Sequence, residues 1–500
     1  MTVTIAQGSL AERTGTDYPP SRLFIGGEWT DSATGNRREL LDPGTGQLLT
    51  TVAEASAPDV GRAVRAARAA FDEGEWSGLT FRRRGRVLLR AAELIREHAE
   101  EFARLESANA GHPILFSRLA DVPGTADQIE YYGMLAASVE GSVRHPEPVL
   151  GPSFSYTLKE AIGVVAAITP FNFPLILSMT KIAAALAAGN TIVHKPAEET
   201  PLTALRLAEL LAEAGVPAGV YNVVTGGPEA GSALIEDPRV DKIAFTGSTA
   251  VGRRIAESAG RNLKRATVEL GGKSANLVFA DADLESAIDT TVNGFTFNAG
   301  QFCMAGSRVL VQRPIYDEFV GALAEATFAV PVGDPFAEWT IVGPMTGPRH
   351  QAKVLGVLDA ARAAGVEVLG AGAEAADPGE PGFFVRPAVL AGVAQDSSFV
   401  QEEIFGPVVT VQPFDTEDEA VRLANGTNYG LAGGVQTGNV ARAHRVASAL
   451  RAGIVWVNAW GRLDSSVPFG GYRDSGYGRE CGPEGLDEYL TTKSVVVGLD

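Results

Sequence analysis

The segment IGVVAAITPFNFPLILSMTKIAAALAAGNTIVH, residues 162–194, decides the fold. Its first part, Ile162–Ile168, is a continuous apolar run that predicts a strand. Leu175–Ala188 predicts a helix that ends at Gly189, and Thr191–His194 predicts the next strand. Strands and helices in alternation are typical of a mostly parallel sheet with helices on its faces.

The same alternation continues downstream in two series, which meet at Gly271-Gly272. The first series predicts strands at Val220–Val224, Lys242–Phe245 and Thr267–Leu270, and the second at Ala275–Ala280, Val408–Phe414 and Gly453–Val457. The sequence therefore predicts an α/β protein with a doubly wound sheet followed by a second α/β domain.

Upstream of residue 162 the chain changes in texture. Helical patterns cover Arg82–His98, Ala99–Ala110 and Thr125–Ala137, and Pro123-Gly124 predicts a break before the last of them. Ser153–Glu160 instead alternates polar and apolar residues, which predicts a half-covered strand. Its apolar face needs a cover, and we expect a partner subunit to supply it.

Composition and charge narrow the class of protein. The chain has 500 residues, of which 45% are hydrophobic and 20% charged, and its net charge is −18. Such a field repels nucleic acid and anionic membranes, so neither is an expected partner. The longest basic run, Arg82-Arg83-Arg84, lies in a helical pattern and is interpreted as a solvated face.

Cysteine usage and targeting signals point to a compartment. The only cysteines are Cys303 and Cys481, which cannot form a disulfide framework and suit a reducing environment. Residues 1–20 are polar, read as a loose arm, and lack a secretory signal. No apolar run reaches membrane-spanning length. We expect a soluble cytoplasmic protein, and the scattered histidines predict no metal site.

Two glycine-rich segments fail as nucleotide fingerprints. Gly226–Gly231 carries Pro228 where the dinucleotide motif needs its middle glycine, and Gly247–Gly252 is followed by arginines rather than by the Lys and hydroxyl residue of a P-loop. Ser248 nevertheless lies at a strand-to-helix turn. It predicts a helix cap, and a helix N-terminus attracts phosphate.

The segment Asn298–Arg308 contains the best candidate for a nucleophile. Cys303 has small residues on both sides, which allow close approach of a substrate. Most lone cysteines are buried small hydrophobes, so this segment alone leaves both interpretations open.

Several segments together carry a resemblance over nearly the whole chain, from about Leu23 onward. In their order and spacing they resemble the NAD(P)-dependent aldehyde dehydrogenase superfamily. They are Thr169–Pro174, His194–Pro201, Phe245–Gly252, Glu269–Asn276, the segment around Cys303, Gln401–Pro407 and Pro468–Tyr472.

The resemblance implies catalytic roles. Cys303 matches the nucleophile that forms a thiohemiacetal and then a thioester with the aldehyde. Glu269 matches the general base, and a carboxylate can serve as one if burial raises its pKa. Asn172 matches the oxyanion donor. Lys181 and Glu480 match a pair proposed to relay the proton from the base.

The resemblance also implies a cofactor site. Lys195 and Glu198 match contacts to the adenosine ribose, where a carboxylate would repel a 2′-phosphate; NAD is therefore favoured and NADP stays open. Ser248 matches a pyrophosphate contact, and Glu403 and Phe405 match residues that hold the nicotinamide end. The full implied set is Thr169, Pro170, Lys195, Glu198, Gly247, Ser248, Leu270, Glu403 and Phe405.

Aromatic residues predict the substrate entrance. The candidate substrate residues are Phe173, Phe302, Met304, Trp460 and Phe469, which with Phe297 favour an aromatic or medium apolar aldehyde. Arg462 and Asp464, in the loop of Trp460, could instead recognise a charged group.

The resemblance further implies three structural parts. Residues 21–140 and 161–271 form an NAD-binding domain of Rossmann type, 272–470 a catalytic domain, and 141–160 with 480–500 a β ribbon that joins subunits into a dimer or tetramer. Two alternatives remain open. One is a CoA-acylating relative, which tends to lack the carboxylate found at Glu269, and the other is a non-catalytic binding protein on the same fold.

Overall fold

The computed structural model describes residues 18–19, 21–147, 151–373 and 381–499, so most of the predicted arm, residues 1–20, lies outside the described residues. The strands are β1 Leu23–Ile25, β2 Glu28–Thr30, β3 Arg37–Leu41, β4 Leu48–Ala53, β5 Val143–Arg144, β6 Ser153–Ala161, β7 Val164–Ile168, β8 Thr191–Lys195, β9 Tyr221–Val223, β10 Lys242–Thr246, β11 Arg265–Glu269, β12 Ala275–Val278, β13 Arg308–Gln312, β14 Glu367–Leu369, β15 Ala388–Ala391, β16 Val408–Phe414, β17 Ala432–Gln436, β18 Ile454–Val457, β19 Gly476–Tyr477 and β20 Leu490–Gly498.

Helices connect these strands. The α-helices are Ala57–Asp72, Phe81–Glu97, Ala99–Ala110, Ile114–Phe116, Val122–Leu135, Pro174–Ala188, Leu202–Glu213, Pro228–Glu236, Thr249–Arg261, Leu284–Thr296, Tyr316–Ala329, Pro348–Ala363, Ser398–Gln401, Glu417–Ala424, Val440–Ala449 and Gly482–Asp487. Among the residues that the structure describes, no helix is both long and apolar enough to cross a membrane.

The first large sheet has the order β19-β11-β10-β7-β8-β9-β1-β2, and its five strands from β11 to β9 are parallel. Strand β7 is buried on both faces: Val165 and Ala167 enter one core with helix Pro174–Ala188, while Val164 and Ala166 enter another with helix Ala57–Asp72. Helices on both faces explain the continuous apolar run at residues 162–168. The predicted α/β class is confirmed.

The second large sheet has the order β14-β15-β16-β13-β12-β17-β18, and every pair is parallel except β14 with β15. It contains the strands predicted after Gly271-Gly272. Strands β12 and β13 lie at its centre, so the segment that joins them, with Cys303, projects from the middle of this sheet.

A smaller sheet consists of β20, β6 and β5. The long strands β6 and β20 are antiparallel along their whole length, with Leu490 opposite Ala161 and Gly498 opposite Ser153. Apolar side chains on this ribbon are exposed, among them Leu158 at 40% and Val496 at 65% of their surface.

Two sequence interpretations are wrong. Pro123-Gly124 does not interrupt the chain, because Pro123 lies in the first turn of helix Val122–Leu135, where its missing N–H is tolerated, and a π turn at Ser117–Asp121 leads into that helix. Arg84 is not solvated but buried. Its guanidinium donates to the carbonyls of Ala187 and Ala188 at the end of helix Pro174–Ala188, and burial lowers its pKa to about 10.

Candidate active site

The residues predicted to hold the cofactor follow the carboxyl ends of parallel strands. Thr169 follows β7, Lys195 ends β8, and Gly247 follows β10. Strand β7 lies between β8 and β10, and the chain winds outward from it in both directions. This is the switch point at which open α/β sheets bind ligands.

A helix N-terminus points into the same crevice. Ser248 caps helix Thr249–Arg261, since its hydroxyl accepts the N–H of Val251. Gly252 lets this helix pack closely, because a Cβ there would overlap the side chain of Leu270. The remaining free N–H groups of the first turn suit a pyrophosphate.

Lys195 and Glu198 lie together at the β8 end, as their spacing requires. Lys195 is buried and donates to the carbonyl of Pro196 over 3.1 Å. The Glu198 carboxylate is partly exposed and lies 3.6 Å from the guanidinium of Arg38, which also pairs with Glu54 at 2.5 Å. Arg38 belongs to β3, and no local motif indicates its place here.

Glu403 and Phe405 lie across the crevice, next to the glycines that separate the two strand series. The Glu403 carboxylate accepts the N–H of Gly272 over 2.9 Å, and burial raises its pKa. Phe405 has a left-handed backbone, φ 61°, and its carbonyl accepts a bond from His350 Nε2 over 2.7 Å. The rings of Phe171, His350 and Phe405 contact one another edge to face.

The nucleophile loop has an unusual backbone. After helix Leu284–Thr296, residues Asn298, Ala299 and Gly300 all have left-handed conformations, with φ of 50°, 53° and 70°. For Ala299 this conformation is strained and costs roughly 1–3 kcal/mol. It turns the chain so that Cys303 is left half-buried at the crevice.

Asn172 reaches this loop from the end of β7. Its side-chain Nδ2 donates to the carbonyl of Gln301 over 2.9 Å, two residues before Cys303. An asparagine amide has two N–H groups, so a second donor remains. The backbone carbonyl of Asn172 in turn accepts a hydrogen bond from Asn298 Nδ2 over 2.7 Å.

Glu269 is a buried carboxylate whose charge acts on Cys303. It ends β11, and neither of its oxygens has a hydrogen-bond partner within the described residues. Burial first, then the charge of Glu480, raise its pKa well above the usual range. Burial also raises the pKa of the Cys303 thiol to about 12, and Glu403 and Glu269 add to that effect. At neutral pH the resting thiol is therefore protonated and needs a base.

Lys181 and Glu480 form a buried ion pair behind Glu269. Lys181 Nζ bonds to a Glu480 carboxylate oxygen and, over 2.6 Å, to the hydroxyl of Thr246. Glu480 is also tied to Phe469 by two backbone hydrogen bonds of 2.7 and 2.8 Å. The two residues of the predicted relay pair are thus in contact. After burial, the Glu480 carboxylate raises the pKa of Glu269, while the Lys181 ammonium lowers it.

The predicted substrate residues fall into two groups. Phe173 stacks on Phe297 with ring centroids 5.8 Å apart, and Phe302 contacts both rings edge to face. Met304, Trp460 and Phe469 belong to a second apolar cluster, which Phe302 and Cys303 also contact. Within this second group Met304 is buried, and Trp460 Nε1 donates to the Met304 carbonyl.

Sequence reasoning missed several groups next to the site. His350 contacts Phe405, and a buried cluster of Glu106, His112 and Asp121 lies behind Asn172. The site residues that they contact, Phe405 and Asn172, are tens of residues away along the chain. Only Gly111, which ends helix Ala99–Ala110 in a left-handed conformation, marks the turn that delivers His112.

Known proteins of similar sequence and structure cover almost the whole chain. The model of the aldehyde dehydrogenase family matches residues 29–495. An aldehyde dehydrogenase of Alternaria alternata is 43% identical over 489 residues, which are 97% of this chain and 97% of the relative.

Solved structures agree with the sequence comparison. The NAD-dependent aldehyde dehydrogenase of Sinorhizobium meliloti is 42% identical with a TM-score of 0.95, covering 99% of this chain and 98% of that one. The betaine aldehyde dehydrogenase of Staphylococcus aureus, solved with NAD+, is 40% identical with a TM-score of 0.93, covering 96% of this chain and 95% of that one.

Proposed function

This chain belongs to the aldehyde dehydrogenase family and oxidises aldehydes with NAD, and we propose that its product is the free carboxylic acid, released by water. One observation carries the proposal. The half-buried Cys303 lies on a loop that the Asn172 amide contacts, within the electrostatic reach of the buried, unpaired Glu269 carboxylate. This arrangement supports Cys303 as nucleophile, Asn172 as oxyanion donor and Glu269 as base.

We propose the following order of events. Glu269 takes the thiol proton, and the Cys303 sulfur attacks the aldehyde carbonyl carbon to give a thiohemiacetal. The second N–H of Asn172 and the backbone N–H of Cys303 stabilise the oxyanion. NAD bound in the crevice would supply the acceptor for the hydride of the thiohemiacetal. Glu269 passes this first proton on through Lys181 and Glu480 and is then free to take a second proton from water. The water attacks the thioester and releases the acid and the Cys303 thiolate, which takes the second proton back from Glu269.

The residues of the crevice fit NAD. The capped N-terminus at Ser248 offers free N–H groups to a pyrophosphate, and Glu198 offers a carboxylate to ribose hydroxyls. We propose that Lys195 supports the ribose and that Glu403 and Phe405 hold the nicotinamide end. We propose that residues 21–140 and 161–271, which carry every strand of the first large sheet except β19, form the cofactor domain, and that residues 272–470 form the catalytic domain.

For the substrate we propose an aromatic or medium apolar aldehyde. The rings of Phe173, Phe297 and Phe302 form one cluster beside Cys303, and such rings bind apolar groups. A panel of aryl, alkyl and cationic aldehydes, with betaine aldehyde among them, tests this. A higher kcat/KM for the cationic aldehydes than for the aryl ones contradicts the proposal.

The central test is Cys303→Ala. We expect NADH production to fall to background while NAD still binds, because the cofactor residues lie on other elements. Substantial turnover in this variant contradicts the assigned nucleophile. A strict requirement of the wild type for CoA would instead favour a CoA-acylating enzyme, and no NADH with any aldehyde would favour a binding protein.

We further propose a homo-oligomer, a dimer or tetramer, that works in the cytoplasm. The exposed apolar side chains of β6 and β20, Leu158 and Val496 among them, support an interface, and both cysteines are free thiols. Light scattering of Val496→Glu tests the interface. The variant should shift toward smaller species, and an unchanged mass, or a monomeric wild type, contradicts it.

A further inference from the structure

A buried cluster of three titratable side chains lies behind the proposed oxyanion donor. The nearest ligand-type atoms of Glu106, His112 and Asp121 all lie within 4.8 Å of one another. His112 Nδ1 bonds to Asp121 Oδ2 over 2.7 Å, and His112 Nε2 donates to the Asn172 carbonyl over 2.6 Å. Both ring nitrogens are therefore engaged, and no lone pair remains for a metal ion.

The cluster holds the Asn172 loop at two points. His112 binds the Asn172 carbonyl, and Glu106 Oε1 accepts the N–H of Leu175 over 3.0 Å, three residues further on. This loop joins β7 to helix Pro174–Ala188, and its own residues bind the nucleophile loop through Gln301. The Asn172 backbone carbonyl, which also accepts from Asn298 Nδ2, is therefore held in part by buried groups that lie behind the crevice.

The charges of the cluster favour the protonated form of His112, in which Nε2 is a hydrogen-bond donor. Burial by itself lowers the pKa of His112, but the carboxylate of Asp121, with Glu106 and the Asn172 carbonyl, raises it to about 9. At neutral pH the ring then carries a proton on each nitrogen. A charge-assisted bond to a carbonyl is shorter and stronger than a neutral one.

We propose that His112, oriented by Asp121, is a positioning residue that acts through the Asn172 carbonyl to aim the Asn172 amide at the oxyanion. The inference rests on the proposed function, because Asn172 must be the oxyanion donor for its aim to matter. The oxyanion forms only after the aldehyde is bound. Loss of the His112 contact should therefore lower kcat and leave KM and NAD affinity nearly unchanged.

Two variants of His112 separate positioning from simple packing. The amide nitrogen of His112→Gln lies near the place of Nε2 and keeps a donor for Asn172, whereas His112→Asn is too short and keeps only a partner for Asp121. We expect kcat of the Asn variant to fall about 10- to 100-fold, and that of the Gln variant to stay within about threefold of wild type. Equal kcat values for the two variants overturn the proposal.

A cycle with Asn172→Ala identifies the route of the effect. In that background the Gln and Asn variants at position 112 should have the same kcat, because the group they position is gone. A difference that persists overturns the proposal. If Asn172→Ala alone leaves kcat unchanged, the oxyanion role in the proposed function fails, which is a separate outcome.

Hydrolysis of p-nitrophenyl acetate without NAD provides a second readout. Attack of Cys303 on this ester forms a similar oxyanion but transfers no hydride, so the Asn variant should lose rate there as well. If the Asn variant does not fold, Asp121→Ala removes the group that orients the ring. A folded Asp121→Ala enzyme with wild-type kcat for both substrates overturns the proposal.

Discussion

Glu269→Gln separates two effects of one carboxylate on Cys303. As a base, Glu269 takes protons from the thiol and from water. The pKa of that thiol is raised mainly by burial, then by the charge of Glu403 and then by the negative charge of Glu269. The substitution keeps the shape of the side chain but removes both the base and the charge. Loss of the base should lower kcat, whereas loss of the charge should make alkylation of Cys303 faster.

The expected size follows from the role of a general base. Removal of such a group lowers the rate by about 100- to 10,000-fold, or about 2.7–5.4 kcal/mol in activation free energy. Because the pKa of Glu269 is raised, the wild-type carboxyl is protonated at low pH and cannot accept a proton. The wild-type kcat should therefore rise with pH, and the variant should lose this rise.

Alkylation of Cys303 by iodoacetamide, measured without NAD, should respond in the other direction. Without the nearby charge the pKa of the thiol falls, so more thiolate is present at a given pH and alkylation becomes faster. Glu402→Gln is the matched control, because this carboxylate, which precedes Glu403 in the chain, is exposed. Slower alkylation in Glu269→Gln would contradict the expectation, because it would show that loss of the base outweighs loss of the charge, and an unchanged kcat would refute the mechanism.

Two further predictions concern groups around the site. Lys181→Met leaves Glu480 buried without its partner and should lower the free energy of unfolding by about 3–5 kcal/mol. The double variant Lys181→Met with Glu480→Leu should recover most of this loss. Equal thermal midpoints for the single and the double variant contradict the prediction. Glu198→Gln removes the carboxylate beside Arg38, and kcat/KM for NADP relative to NAD should rise by about tenfold or more in parallel assays; an unchanged ratio would remove Glu198 from cofactor selection.

The parallel sheet is the part that the sequence predicts from general rules, whereas the residues proposed for the cofactor are named by the resemblance. A continuous apolar run such as Ile162–Ile168 indicates a strand buried on both faces, and the structure places helices on both sides of β7. Parallel strands bring their carboxyl ends to one edge. Thr169, Lys195 and Gly247 therefore lie together although they are far apart in sequence.

The failures have local causes that the pattern does not contain. Pro123 predicts a helix break, yet it lies in the first turn, where a backbone N–H has no partner within the helix and its absence costs nothing. Arg84 reads as a surface residue, yet the carbonyls at the end of helix Pro174–Ala188 need donors, and a buried guanidinium supplies them. In both places a backbone requirement elsewhere in the fold decides the outcome.

For the same reason the support of the proposed site escapes prediction, whereas its candidate reacting groups can be named from the sequence. Cys303, Glu269 and Asn172 stand in segments that resemble a known family, so their residue types already suggest chemistry. His112 stands 60 residues from Asn172, and nothing in its neighbourhood distinguishes it from a packing residue. The contact on which its proposed role depends exists only when the fold places its ring against the Asn172 backbone carbonyl. A positioning residue is defined by its partner, and the partner is a property of the folded chain rather than of any segment.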